Sequence, residues 1–150
     1  MSSNRHHSLR VMSSHITTSW ATPREFYAAL DSEFNFTLDP CPLRPESEAG
    51  MPLFGTDGLW ISWKGQRVFC NPPYGPSIPK WLAKADEAEC AVYLLPSRTD
   101  TIWWHRYAPK ATEVRFIKGR LKFGDGRNPA PFPFVILIFK QPPPSTAAHP

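Results

Sequence analysis

From Trp20 onward, the apolar positions of this chain fall into short runs separated by prolines and glycines. Thr22-Pro23-Arg24-Glu25 reads as a helix start, with Thr22 as N-cap, Pro23 in the first turn and Glu25 closing a capping box. Phe26, Ala29, Leu30 and Phe34 then mark one helical face. Phe36 to Asp39 reads as a short strand stopped by Pro40 and Pro42. Residues 40–58 carry Gly50, Gly55 and Gly58 and read as a long loop, of a length more often functional than idle. Arg67 to Cys70 predicts a second strand that runs straight into Asn71-Pro72-Pro73-Tyr74-Gly75. From Ile78 the spacing of Ile78, Trp81, Leu82, Ala85 and Ala88 predicts a helix with one buried face. Ala91 to Leu95 is almost wholly apolar, as expected of a buried parallel strand ended by Pro96. A helix over 99–108, a strand over 113–117 and a very apolar strand over 134–139 complete the pattern.

Strands alternating with helices predict a single α/β domain with a mostly parallel sheet over residues 20–140. Residues 1–19 and 141–150 read as disordered tails, the first Ser/His/Arg-rich and the second Pro-rich. In sheets of this kind ligands bind beyond the carboxyl ends of strands, where this reading places Asp39 and Asn71.

Composition narrows the picture. The chain has 150 residues, 41% of them hydrophobic, which suits one domain with a real core. No apolar run approaches the roughly 20 residues of a membrane span, and the polar N-terminus does not read as a secretory signal. Three widely spaced cysteines, Cys41, Cys70 and Cys90, argue against a disulfide framework and a paired-cysteine zinc site. They fit a reducing cytosol. His6-His7 is too isolated to read as a metal site, and none is expected.

Charge is unevenly spread. Residues 21–58 hold two basic and seven acidic residues, whereas residues 98–127 hold eight basic and three acidic ones. On charge alone these are two solvated faces. The basic stretch of Arg115, Lys118, Arg120, Lys122 and Arg127 also surrounds Gly119, Gly124 and Gly126, and so reads as a loop able to contact phosphates. Arg98 and Trp103-Trp104-His105 are candidates for the neighbourhood of a binding pocket. The two tryptophans read better as core, and His105 as a structural hydrogen-bonder.

The strongest chemical signal is the strand followed by Asn71-Pro72-Pro73-Tyr74. An aromatic amine delocalises its lone pair into the ring and is a poor nucleophile. Acceptors around its N–H bonds favour the localised form that attacks an electrophile. The Asn71 side-chain oxygen and the Pro72 carbonyl can supply them, preorganised by two prolines, and Tyr74 can stack on the base.

Several longer stretches carry a family resemblance. They are Trp20 to Pro23, Phe36 to Cys41, Asp57 to Leu59, Val68 to Gly75, Leu94 to Thr101, Trp103 to His105, Phe116 to Phe123, and Ala130 to Pro133. In this order they resemble the phage-type DNA adenine-N6 methyltransferases, the Dam-like group. The resemblance implies a reduced Rossmann-like methyltransferase domain, S-adenosylmethionine as cofactor, and methyl transfer to a flipped-out adenine in double-stranded DNA. It implies Asn71, Pro72, Pro73 and Tyr74 as the catalytic segment. Cofactor contacts are expected from Thr22, Pro23, Asp39, Pro40, Cys41 and Asp57, and DNA contacts from Arg98, Lys118, Arg120, Lys122 and Arg127. A cytoplasmic, phage- or prophage-encoded protein in a bacterial host is expected. One departure stands out: Asp39-Pro40-Cys41 sits where a cofactor loop of the Asp-Pro-x-x-Gly type begins, yet Pro42-Leu43-Arg44 follows in place of a glycine-rich run. The alternatives are another planar nitrogen as acceptor (cytosine N4, an RNA base or glutamine) and a catalytically silent DNA-binding module.

Overall fold

The computed structural model describes residues 21–42, 58–123 and 129–143. Its elements follow in the order α1 (Arg24–Phe34), β1 (Arg67–Cys70), α2 (Ile78–Ala83), β2 (Cys90–Pro96), α3 (Ile102–Tyr107), β3 (Glu113–Phe116) and β4 (Phe134–Lys140). Single 3-10 turns, Lys84–Glu87 and Ala108–Lys110, extend α2 and α3. The tail expected at 1–19, residues 144–150 of the tail expected at 141–150, and two candidate site residues, Asp57 and Arg127, lie outside the described residues; Gln141 is described, and its N–H donates to the Glu89 carbonyl at 3.1 Å.

The four strands form one sheet in the order β1-β2-β4-β3. β1 and β2 are parallel, whereas β4 runs antiparallel to both of its neighbours, β2 and β3. The sheet is therefore mixed, which corrects the mostly parallel expectation. The reason lies in the connections. β1 leads to β2 through α2, and β2 leads to β3 through α3, so these three strands point the same way, as helical crossovers require. The link from β3 to β4 has no helix among its described residues, and β4 turns back to fill the place left between β2 and β3. Its apolar run, Phe134 to Phe139, is buried throughout, because it is a central strand.

Cross-strand partners share a face of the sheet. Phe69, Val92, Ile138, Ile136 and Arg115 lie on one face, and Val68, Ala91, Tyr93, Leu137 and Val114 on the other. Helix α1 covers the first face, with Tyr27 edge-on to Phe69 at 5.0 Å between centroids. Helix α2 covers the second, where the Tyr93 hydroxyl donates to the Trp81 carbonyl at 2.7 Å and Trp63 packs on both rings. All five positions chosen for the α2 face are buried: Ile78, Trp81, Leu82, Ala85 and Ala88.

Two local readings are corrected. The buried face of α1 is Tyr27, Leu30 and Phe34, with Ala29 exposed. The helix also begins one residue later than the capping-box reading required. Pro23 is the N-cap, its carbonyl accepting from the Tyr27 N–H at 3.0 Å, and no side chain caps the end. Secondly, the segment 36–39 is shorter than a regular strand. It lies parallel beside β1 through a single bridge, Leu38 with Val68, and the Phe69 N–H donates to the Leu38 carbonyl at 3.0 Å. Pro40 has no N–H to extend this ladder.

Candidate active site

β1 ends at Cys70, and the next residue, Asn71, is 4% exposed, the one polar side chain among the buried residues described. A buried carboxamide needs partners. Asn71 Nδ2 donates to Thr22 Oγ1 at 3.0 Å, and the Tyr74 hydroxyl donates to Asn71 Oδ1 at 2.6 Å. Thr22, read as a helix cap, thus turns its hydroxyl to Asn71. Pro72 is buried and Pro73 half-buried, and neither can offer an N–H to a neighbouring strand. Gly75 then takes φ of 137°, a backbone state that L side chains rarely adopt, and its carbonyl accepts from the Ile78 N–H at the start of α2. The glycine lets the chain turn sharply from the Asn-Pro-Pro-Tyr segment into the helix.

Tyr74 is itself buried, its ring 5.6 Å from Phe134 and 6.2 Å from Phe132. Its ring therefore serves the core as well as the site. Burial raises the phenol pKa far above its ordinary value, so the hydroxyl remains a protonated donor at neutral pH. Half-buried Phe132 continues the aromatic row outward, and the Arg98 guanidinium lies over its ring at 5.1 Å. Sequence reasoning gave Phe132 no role of its own. Its setting between two prolines, Pro131 and Pro133, just before the most apolar strand was the available signal.

Asp39 ends the segment beside β1, at the same end of the sheet as Asn71. Its Oδ1 accepts from the Cys41 N–H at 3.0 Å. Desolvation outweighs that bond and lifts the carboxyl pKa to about 6. Burial, together with the Asp39 charge, pushes the Cys41 thiol up to about 12. The Cys70 thiol, fully buried, is likewise held well above its ordinary value, chiefly by burial. Both thiols stay protonated and are poor nucleophiles. All three cysteines are buried and free. Gly58 backs this loop: a Cβ there would stand 1.9 Å from the Pro40 carbonyl oxygen, and the Gly58 carbonyl accepts from Trp63 Nε1 at 2.9 Å. The structure thus brings Thr22, Pro23, Asp39, Pro40, Cys41, Asn71, Pro72, Pro73 and Tyr74 to one end of the sheet.

The basic residues divide. Arg98, Lys118, Arg120 and Lys122 are exposed, and none of them takes part in an ion pair among the described residues. Arg115 does not belong with them. Its guanidinium forks onto both Glu33 carboxylate oxygens at 2.6 and 2.7 Å, bonds Glu113 at 2.6 Å, and lies over the Phe34 ring at 5.4 Å. It holds the Glu33 and Glu113 carboxyls below their ordinary pKa, chiefly through these hydrogen bonds. Arg115 ties α1 to the edge strand β3 and is not a phosphate contact. His105 is structural as well: its Nε2 is 2.8 Å from the Thr99 carbonyl oxygen. Trp103 and Trp104 pack half-buried against the core.

Comparison with family models matches this chain to DNA N-6-adenine-methyltransferase (Dam) over residues 12–139. The chain belongs to the Dam family. The match runs from before α1 to Phe139, the next-to-last residue of β4. Searches of curated proteins and of solved structures give no match.

Proposed function

We propose that this protein transfers a methyl group from S-adenosylmethionine to the exocyclic N6 amine of adenine in DNA. One observation carries the reading: within a Dam-family chain, the carboxamide of Asn71 is buried at the carboxyl end of β1 and held at both ends by hydroxyls. Its oxygen can accept from the adenine amine and localise the nitrogen lone pair. An amide oxygen offers two acceptor sites and can accept from more than one donor. The reaction would break the S–CH3 bond of the donor, whose sulfur leaves as a neutral thioether, replace one N–H bond of the amine by an N–CH3 bond and release a proton to solvent, and no strong base is needed at the site.

The residues present fit the cofactor. Asp39 is a partly buried carboxylate with its pKa raised, a group whose ionisation a nearby cation or hydroxyl donor would stabilise. Asp39, Pro40, Cys41 and Pro23 would hold S-adenosylmethionine, with Asp57 from the neighbouring segment. The chemistry it supplies when bound is an electrophilic methyl group on a sulfonium. Gly58 packs against the Pro40 carbonyl from behind, where a side chain would not fit. Residues 20–140 form the methyltransferase domain in this reading, a reduced Rossmann-like unit with β4 reversed.

A recessed Asn71 cannot reach an adenine stacked in a duplex, so the base leaves the stack to react. Arg98, Lys118, Arg120 and Lys122, with Arg127, then contact phosphates along double-stranded DNA. The test is incubation with radiolabelled cofactor and DNA, followed by nucleoside analysis. Label in N6-methyladenine supports the proposal, and label in N4-methylcytosine or none in DNA overturns it.

A further inference from the structure

The sequence places Thr22 among the cofactor contacts. We infer instead that Thr22 is a positioning residue, which fixes the orientation of the Asn71 carboxamide so that its oxygen, and not its NH2, faces the substrate amine. This rests on the proposed reaction only for its kinetic consequence.

The χ2 torsion of an asparagine is broad and roughly two-fold, so a carboxamide left to itself has two near-equivalent orientations. The wrong one would point N–H groups at an amine that must itself donate. Two hydroxyls favour one of them. Thr22 Oγ1 accepts from Nδ2 at 3.0 Å, and the Tyr74 phenol donates to Oδ1 at 2.6 Å. The chemistry of the two hydroxyls agrees with this arrangement. A phenol is the better donor because its oxygen lone pair is drawn into the ring, whereas an aliphatic hydroxyl is the better acceptor. Burial keeps the Tyr74 proton in place. The chain geometry agrees too. Pro23, and not Thr22, is the N-cap of α1, so no helix N–H claims the Thr22 hydroxyl. Thr22 sits 49 positions from Asn71 in sequence, and the bond therefore couples the entry of α1 to the end of β1.

Two variants test this. Thr22→Val keeps the shape and removes the acceptor, and Thr22→Ser keeps the acceptor. The first readout needs no reaction: hydrogen exchange of the Asn71 side-chain NH2 in the 15N-labelled free protein. Exchange in Thr22→Val should be roughly tenfold faster than in the parent, and Thr22→Ser should restore protection, as loss of one hydrogen bond implies. The second readout is methylation. In Thr22→Val, kcat should fall roughly tenfold, with the Kd of S-adenosylmethionine held within about twofold and Thr22→Ser recovering kcat. Unchanged exchange in Thr22→Val overturns the inference, whatever the kinetics. So does a weakened cofactor Kd with kcat intact, which would return Thr22 to the cofactor site. A parent protein that methylates no DNA sinks the proposed function instead, and the exchange measurement alone then decides whether Thr22 orients Asn71.

Discussion

Asp39 offers a perturbation whose sign reverses between stability and function. Its carboxyl pKa is about 6 in the folded chain against an ordinary value of 3.8. The folded state thus holds this proton more tightly than the unfolded state. Between these two values the folded chain is protonated at Asp39 while the unfolded chain is not, so stability falls as pH rises through this window. Above it the charged, desolvated carboxylate costs up to about 3 kcal/mol, at about 1.4 kcal/mol per pKa unit. Asp39→Asn removes the charge and keeps an oxygen for the Cys41 N–H. At pH 8 the variant should be more stable than the parent by about 2–3 kcal/mol, or roughly 5–10 °C in Tm for a chain of this size. The gain should shrink as pH falls toward 4. Cofactor binding should move the other way. The parent should lose affinity for S-adenosylmethionine below about pH 6, roughly tenfold per pH unit at the limit, as Asp39 takes up its proton. Asp39→Asn should bind weakly at every pH and show no such slope. Thermal unfolding by circular dichroism and calorimetric titration with the cofactor, both from pH 5 to 8, read the two effects. An Asn variant no more stable than the parent at pH 8, with undiminished cofactor affinity, would refute the reasoning.

Three further outcomes follow from named contacts. Gly58→Ala places a methyl group 1.9 Å from the Pro40 carbonyl oxygen, so it should cost about 1–3 kcal/mol of stability and weaken cofactor binding, as denaturant melts and calorimetry would show. Neutralising Lys118 and Lys122 together should flatten the log–log salt dependence of DNA binding by about one to two units, near 0.9 per lost phosphate contact, with cofactor affinity unchanged. Fluorescence anisotropy over a salt series measures that slope, and an unaltered slope would mean a merely solvated face. Arg115→Ala should lower Tm by freeing α1 from β3 and leave the same salt slope untouched, because its charge is already spent on Glu33 and Glu113.

Much of this architecture was legible because local chemistry and tertiary context agreed. Apolar Val68 to Cys70 cut off by Asn71-Pro72-Pro73 can be little else than a buried strand that stops, and it is. Ile78, Trp81, Leu82, Ala85 and Ala88 announced their buried face by spacing alone. What the pattern could not convey was direction. The run Phe134 to Phe139 reads the same whether it is parallel or antiparallel, and only the missing helix before it hints at reversal. Arg115 misled for a related reason: five cations close in sequence look like one patch, yet strand alternation turns Arg115 onto the α1 face, where Glu33 meets it. Thr22 misled because Thr-Pro-x-Glu is a good local cap signature, and a partner 49 positions away left no mark in sequence. At the candidate site, the segment and its flanking Asp39 were readable as residue types. The Thr22–Asn71–Tyr74 hydrogen bonds and the packing of Gly58 on Pro40 depend on chain segments meeting in space, which no local pattern encodes.

The central claim is that Asn71 sits where an adenine amine is methylated. The most direct measurement compares parent and Asn71→Ala for transfer of radiolabel from S-adenosylmethionine into DNA nucleosides, with cofactor binding and thermal stability followed alongside. N6-methyladenine is expected from the parent, and in the variant a rate lower by on the order of 10²–10³, with cofactor affinity and fold largely kept. Near-parental turnover by Asn71→Ala would contradict the claim.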